Sequence, residues 1–175
     1  REAVACAPND RVTARLTWGE LRALSRVAAK KLVAAGVGKG TRVGFLCPNG
    51  PEWLPIAFGA LRIGAVLVPF STLWKRDEIA YGLNHGDVQL LVTRPGFLRH
   101  DYLAQLGDIV PELASSVPGR LYAAGAPSLR HVVVLGDVDV PGTSRWSRLD
   151  ADVPDAVLDG VERAVSPTDL ATIFF

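Results

Sequence analysis

The chain has 175 residues, 49% of them apolar and 21% charged, with 17 Gly and 12 Pro; this globular balance excludes a disordered or fibrous protein and allows a substantial buried core. Lys and Arg number 19 against 18 Asp and Glu, for a net charge of +1, and no basic block interrupts the mixture, so nucleic acid is excluded as a partner. Cys6 and Cys47 stand far apart without a CxxC spacing, which argues against a disulfide framework and a thiolate zinc site.

The first element is a helix. In Leu16-Thr-Trp-Gly-Glu-Leu21, Thr17 has a hydroxyl suited to capping, and Glu20 stands three residues on, where it can reach back to the cap N–H. Leu21, Leu24, Ala28 and Leu32 then recur at helical spacing and predict the inward face. Arg22, Arg26 and Lys30 run along another face as a solvated stripe, and Gly36 is placed to stop the helix. Arg42 to Cys47 reads as a strand. A second helix follows Pro48-Asn-Gly-Pro-Glu52, with Pro51 at its first position, Glu52 at the positive end of its dipole, and Trp53, Ile56, Ala60 and Ile63 inward. Pro55 predicts an irregular first turn. The run Ala65 to Pro69 is apolar without alternation, as expected of a strand buried on both faces of a parallel sheet.

Arg76 to Asn84 predicts a third helix with Ile79, Ala80 and Leu83 inward; Lys75 cannot accept cap bonds, so Ser71 or Thr72 is expected to start it. Val88 to Thr93 reads as a strand, Phe97 to Leu113 as a helix broken by Pro111, and Ser115 to Ser128 as a loop. His131 to Leu135 reads as a strand, Pro141 to Arg148 as a loop, Pro154 to Ala164 as a helix, and Leu170 to Phe175 as a last strand. This alternation predicts an α/β fold, a mainly parallel sheet flanked by helices. The apolar ending Asp169 to Phe175, with no polar residue after it, predicts a piece of a longer protein in which this last strand lies in the core.

Several tempting patterns carry no chemistry. Gly36-Val-Gly-Lys-Gly-Thr41 has the composition of a phosphate loop, but it follows a helix and precedes a strand, the reverse of what would aim helix N–H groups at an anion. His85, His100 and His131 lack metal-ligand spacing, and His85 suits a helix end. Ser71 and Ser115-Ser116 lack a nucleophile elbow, and the acids Asp77-Glu78, Asp150, Asp152 and Asp155 lack calcium-loop spacing. Leu54 to Phe70 is the most apolar stretch, but it falls short of the roughly 20 apolar residues of a membrane span and contains Pro55, Arg62 and Gly64. No secretory signal pattern opens the chain, so a cytoplasmic protein is expected. Arg outnumbers Lys fifteen to four among abundant Ala and Val, as in a GC-rich bacterial genome.

The order of the segments is more specific than any one of them. Leu16-Thr-Trp-Gly-Glu-Leu21 is followed by Gly36-Val-Gly-Lys-Gly-Thr-Arg-Val43, Pro48-Asn-Gly-Pro-Glu-Trp53, Leu61-Arg-Ile-Gly-Ala-Val-Leu-Val-Pro69 and Asp77-Glu-Ile-Ala-Tyr-Gly-Leu-Asn84. After a gap comes Ser166-Pro-Thr-Asp-Leu-Ala-Thr-Ile-Phe-Phe175. This series resembles the N-terminal part of the adenylate-forming (AMP-binding) superfamily, most closely its acyl-CoA synthetase branch; the likeness is dense from Leu16 to Thr93, thin from Arg94 to Val165, and dense again to the end. Lys75, where the family has a capping Thr, and Pro55 depart from the pattern.

The resemblance implies that residues 1–175 are the N-terminal portion of an AMP-binding domain. A Ser/Thr/Gly-rich loop for the ATP phosphates would follow Phe175, and the rest of the domain and a C-terminal lid would lie beyond it. The intact enzyme would be an acid–thiol ligase using ATP, magnesium and coenzyme A. It would turn a small-molecule carboxylic acid, fatty acids foremost, first into an acyl-adenylate and then into a thioester. Residues 1–175 alone would not turn over. They supply no catalytic residue and no metal ligand, and Phe174 and Phe175 would lie nearest the nucleotide and substrate. Peripheral membrane contact and a homodimer are compatible with the reading. The alternatives are an adenylating enzyme that loads a carrier protein and a non-catalytic nucleotide-binding α/β module, although Val43 to Gly50 lacks the GxGxxG of a dinucleotide fold.

Overall fold

The computed structural model describes residues 1–6 and 14–175. Its centre is a five-stranded sheet built from β3 (Arg42–Leu46), β4 (Val66–Pro69), β5 (Leu90–Thr93), β8 (His131–Val134) and β9 (Ser144–Arg145), in the spatial order β4-β3-β5-β8-β9. Every neighbouring pair is parallel. Two short antiparallel hairpins stand outside it: β1 (Glu2–Cys6) with β2 (Ala14–Thr17), and β6 (Gly96–Phe97) with β7 (His100–Asp101).

The strand order fixes the layers. The crossover from β3 to β4 runs through α2 (Trp53–Arg62), and that from β4 to β5 through α3 (Arg76–His85). The two connections step in opposite directions along the sheet, so crossovers of one hand place their helices on opposite faces. Val43, Phe45, Leu67, Leu90, Val92 and Val133 accordingly pack with Leu32 of α1 (Trp18–Ala34), Ile56 and Ile63 of α2, and Leu158 of α5 (Asp155–Arg163). Leu46, Val68, Leu91, Val132 and Val134 face the other way, onto Ile79 and Leu83 of α3 and Tyr102 and Leu106 of α4 (Tyr102–Ile109). The strands are apolar at nearly every position because both faces are covered.

The helix ends follow local chemistry. Thr17 Oγ1 accepts from Glu20 N–H at 3.2 Å while a Glu20 carboxylate oxygen accepts from Thr17 N–H at 2.7 Å, the reciprocal cap expected from the sequence. Gly36 ends α1 with φ of 86°. The turn through Lys39 to Thr41 is a plain helix-to-strand connection, in which Gly40 N–H donates to Gly64 O at 2.8 Å and Lys39 Nζ donates to Ala164 O at 2.7 Å. In α2 the Pro55 ring disturbs nothing. The helix begins at Trp53, so Pro55 sits in the first turn, where N–H groups have no intrahelical partner. At α3 neither Ser71 nor Thr72 caps the helix. Glu78 Oε2 reaches back to Lys75 N–H at 2.8 Å, half of a capping box that needs nothing from the lysine side chain.

Other sequence expectations are corrected. Leu24 is exposed, and Ser25 and Ala29 are buried in α1 instead, because α2 packs on the side defined by Leu21, Ser25, Ala28 and Leu32. Arg26 and Lys30 are not a merely solvated stripe: Arg26 Nη2 lies 2.7 Å from Asp159 and Lys30 Nζ 2.8 Å from Asp155, both on α5. Arg62 extends the cluster by pairing with Glu162 at 2.8 Å. The helix expected from Phe97 starts only at Tyr102, after the β6–β7 hairpin, and Pro111 opens a short 3-10 turn, Pro111–Ser115. The loop expected over Pro141 to Arg148 contains β9 and a 3-10 turn, Trp146–Arg148.

The largest correction concerns the last segment. Within residues 1–175, Leu170 to Phe175 lies at the edge of the sheet rather than between two strands. It makes a single parallel bridge, Thr172 to Leu67, at the outer edge of β4, held by Leu67 N–H to Ala171 O and Ile173 N–H to Leu67 O, each at 2.9 Å. With a strand on one side only, its side chains are half covered or open: Leu170 is 57% exposed and Phe174 76%. Apolar composition predicted a strand between two neighbours; the segment pairs, in parallel, on one side. Cys47 is buried and free, and the Cys6 side chain lies outside the described residues.

Candidate functional site

In an open parallel sheet, ligands settle beyond the carboxyl ends of the strands, where the strand order reverses. Here that point lies between β3, which is followed in the chain by β4 on one side, and β5 on the other. A cavity of about 370 Å³ opens there. Phe45 of β3 and Cys47 and Pro48 just after it line one side; Asn49 and Trp53 come from the turn into α2, Pro69 to Thr72 from the end of β4, and Phe97 from the β6–β7 hairpin.

The walls are apolar and held by ring contacts. Phe45 lies 5.5 Å from Trp53, and Phe70 lies 5.0 Å from Trp74, centroid to centroid. Tyr102 fixes the β4 exit by donating its hydroxyl to Thr72 O at 2.7 Å. At the reversal itself, Thr93 Oγ1 lies 3.0 Å from Leu46 O and 2.9 Å from Arg94 O, tying the ends of β3 and β5. Arg94 and Glu52 pair at 2.6 Å on the rim. Asn49, Ser71 and Thr72 supply the cavity's uncharged polar side chains.

Cys47 faces this cavity, but burial pushes its thiol up to about 12, the nearby Arg94 charge only partly opposing and Glu52 reinforcing the shift. It is therefore a protonated, space-filling group at neutral pH and not a nucleophile. The lining holds no base close to a nucleophile. What this arrangement can do is bind and orient an amphiphilic ligand of modest size.

Phe174 and Phe175 do not line the cavity. Phe175 packs on the α3 side, with its ring 6.3 Å from Trp74, 5.9 Å from Tyr81 and 5.5 Å from His85, whereas Phe174 points outward. His85 thus serves at the end of α3 as a stacking partner, 4.9 Å from Tyr81 and nearly parallel to it. Because the Thr172 bridge is parallel, the chain leaves β4's side at the same end of the sheet as the cavity. The sequence reading passed over Thr93 and the β6–β7 hairpin. Thr93 had one visible signal, a lone hydroxyl closing an apolar strand; the hairpin strands are two residues each, too short for any periodicity.

Among the described residues no group of three His, Cys, Asp or Glu side chains could hold a metal ion. The lining also brings no cluster of backbone N–H groups and basic side chains that would fit a triphosphate, so no step of a reaction is assigned to these residues.

Comparison with known proteins gives one consistent result. The family described as AMP-binding enzyme matches residues 1–175. The mitochondrial medium-chain acyl-CoA ligase ACSF2 of Pongo abelii is 31% identical over 143 residues, covering 82% of this chain and 23% of its own length. Among solved structures, a fatty acyl CoA synthetase of Mycobacterium tuberculosis superposes with a TM-score of 0.65 at 24% identity, over 92% of this chain and 27% of that one. The anthranilate CoA ligase AuaEII, in complex with anthranoyl-AMP, gives 0.61 at 22% identity, over 90% and 25%. The chain thus spans about a quarter of the length of the relatives it matches.

Proposed function

Because this chain belongs to the AMP-binding enzyme family, we propose that residues 1–175 are the N-terminal portion of the AMP-binding domain of an ATP-dependent acyl-CoA synthetase. The observation that carries this reading is the parallel bridge from Thr172 to Leu67, which directs the chain after Phe175 toward the carboxyl end of the sheet, beside the cavity. A phosphate-gripping loop placed there would sit where an open α/β sheet binds ligands. Relatives named as acyl-CoA ligases support the reaction class.

In the proposed reaction a carboxylate oxygen attacks the ATP α-phosphorus, the bond to pyrophosphate breaks, and an acyl-adenylate forms. The thiol sulfur of coenzyme A then attacks the acyl carbon, AMP leaves, and the thiol proton passes to solvent. Magnesium would offset phosphate charge, with ligands outside the residues described here. These residues serve as scaffold: Phe175, fixed against Trp74, Tyr81 and His85, sets the exit of the chain, and Phe174 and Phe175 are proposed to lie near the nucleotide, beside the cavity rather than in its lining. Residues 1–175 by themselves are expected not to turn over. A small-molecule carboxylic acid, fatty acids foremost, is the proposed substrate, and a bacterial, cytoplasmic enzyme is the proposed setting. No described helix is long and apolar enough to cross a membrane.

Carboxylate-dependent exchange of labelled pyrophosphate into ATP, run on the intact enzyme across a panel of acids, tests the first step. One class of acid should support exchange; a folded enzyme that exchanges with none refutes the proposal. Thioester formation with coenzyme A, but not with a phosphopantetheinyl carrier protein, is expected for the second step, and the reverse result would assign a carrier-loading enzyme.

A further inference from the structure

The opposite end of the sheet carries different chemistry. The residues leading into β3, β5 and β8 lie side by side there, and with the loop before β8 they wall a cleft of about 270 Å³. It is lined by Arg42, Asp87, Gln89, Pro127, Ser128 and Arg130.

Arg130 is held rigidly for a residue without an ion pair among the described residues. Its Nη1 donates to Pro127 O at 2.7 Å and Leu129 O at 3.0 Å, and its guanidinium stacks on the Tyr122 ring at 4.9 Å. Its Nε and Nη2 donors remain for another acceptor. Arg42 reaches Asp87 only loosely, at 3.5 Å. Asp87 is kept at this wall by a left-handed backbone, φ 45°, directly after α3, and Ser128 Oγ lies 3.4 Å from its other oxygen. Gln89 uses its amide oxygen on Arg42 N–H at 3.0 Å, which leaves its amide N–H donors available.

We infer that this cleft binds a small phosphomonoester that also carries a hydroxyl group. Two guanidiniums against one carboxylate give the cleft a net positive charge, and the planar Arg fork matches phosphate oxygens two at a time. Asp87 is then the acceptor for a ligand hydroxyl, a role an anion-only site would not need. The cleft is at the small end of ligand-pocket volumes, which suits a ligand the size of a phosphorylated sugar. The cleft stands at the amino ends of the strands, away from the cavity at their carboxyl ends, and is independent of the reaction proposed above.

Calorimetric titration of the intact protein with ribose 5-phosphate tests it, with inorganic phosphate as a second titrant. Saturable binding to one site is expected. It should weaken at least tenfold in Arg130→Gln and in Ser128→Asp, weaken less in Arg130→Lys, and stay unchanged in Arg22→Gln, which removes an exposed charge from α1. Inorganic phosphate should bind more weakly than ribose 5-phosphate. A thermal melt checks that each variant folds. If Arg130→Gln does not, Ser128→Asp carries the test, since it adds a repelling charge at a loop position. Absence of saturable binding, or wild-type affinity in both Arg130→Gln and Ser128→Asp, overturns the site. Inorganic phosphate binding as tightly as ribose 5-phosphate overturns the role given to Asp87.

Discussion

Gly59→Ala is predicted to destabilise the fold, and Gly107→Ala to stabilise it, although both add one methyl group to a helix. At Gly59, α2 crosses α1 so closely that a Cβ would stand 2.8 Å from Ala28 Cβ, 2.9 Å from Ala29 N and 3.0 Å from Ser25 O. Two of these atoms are backbone, so no rotamer change relieves the contact and the helices must separate. Overpacking of this kind costs roughly 1–3 kcal/mol, here toward the upper end, and Ala returns about 1 kcal/mol through its better helix propensity. A net loss of about 2 kcal/mol is expected. At Gly107, in α4, an added Cβ meets nothing within 4 Å, so only the propensity gain of roughly 0.5–1 kcal/mol remains. In a domain of this size 1 kcal/mol moves the thermal midpoint by roughly 2–4 °C, so the two variants should melt on opposite sides of wild type, about 6–12 °C apart. If Gly59→Ala melts with or above Gly107→Ala, the two helices are not in backbone contact and the packing argument fails.

Three further outcomes are expected. His131 is buried, with Nε2 2.8 Å from Ser144 Oγ and Nδ1 without a partner among the described residues, and burial lowers its pKa. The folded state therefore favours the neutral ring, and stability should be full above the unfolded value of about 6.5 and fall as pH drops below it; His131→Gln should lack that slope between pH 6.5 and its lower limit. Cys47, with its thiol pushed up to about 12, should resist iodoacetamide in the native protein at pH 8 and react only after unfolding, as peptide mapping by mass spectrometry would show; rapid native labelling would contradict its burial. Leu158 is the fully buried residue of α5, so Leu158→Ala should cost about 3 kcal/mol and raise amide exchange across that helix first, whereas Asp155→Asn, which breaks exposed pairs, should melt close to wild type.

How legible the fold was depended on how much of each element's surface is covered. Val43, Leu67, Leu91 and Val133 sit in strands packed on both faces, and the unbroken apolar run Ala65 to Pro69, with the alternation of strands and helices, predicted a mainly parallel sheet. Thr17 and Glu20 marked the start of α1 because a capping box is complete within four residues. Features set by partners remote in sequence were not visible. Leu24 continues the helical period of Leu21 and Ala28 but falls off the line along which α2 packs. Arg26 and Lys30 have the spacing of a solvent face, and only the placement of α5, more than a hundred residues later, gives them Asp155 and Asp159. The cavity was hidden for the same reason: Cys47, Ser71 and Phe97 share no motif and meet only because β3, β4 and β5 end together.

The last segment shows where composition stops being informative. Ala171, Ile173 and their neighbours read like Leu67 and Val68, yet Val68 is fully buried while Leu170 and Phe174 stand open. Both stretches satisfy the same backbone pairing rule, since Leu67 donates and accepts across the bridge on either side of Thr172. The difference is the number of neighbours, which no property of a six-residue run encodes. Direction, by contrast, is encoded indirectly: a strand reached by a crossover from β4's own sheet comes back parallel, and parallel placement brings Phe175 against Trp74, just after β4, and against Tyr81 and His85 in the second half of α3. Phe175→Ala therefore removes the contact that orients the chain toward the cavity, while Phe174→Ala, at a side chain that touches none of those rings, removes none of it. If the intact protein is the acyl-CoA synthetase proposed above, the first change should reduce pyrophosphate exchange more than the second, through a raised KM for ATP; equal effects of the two would mean that this packing does not set the path of the chain.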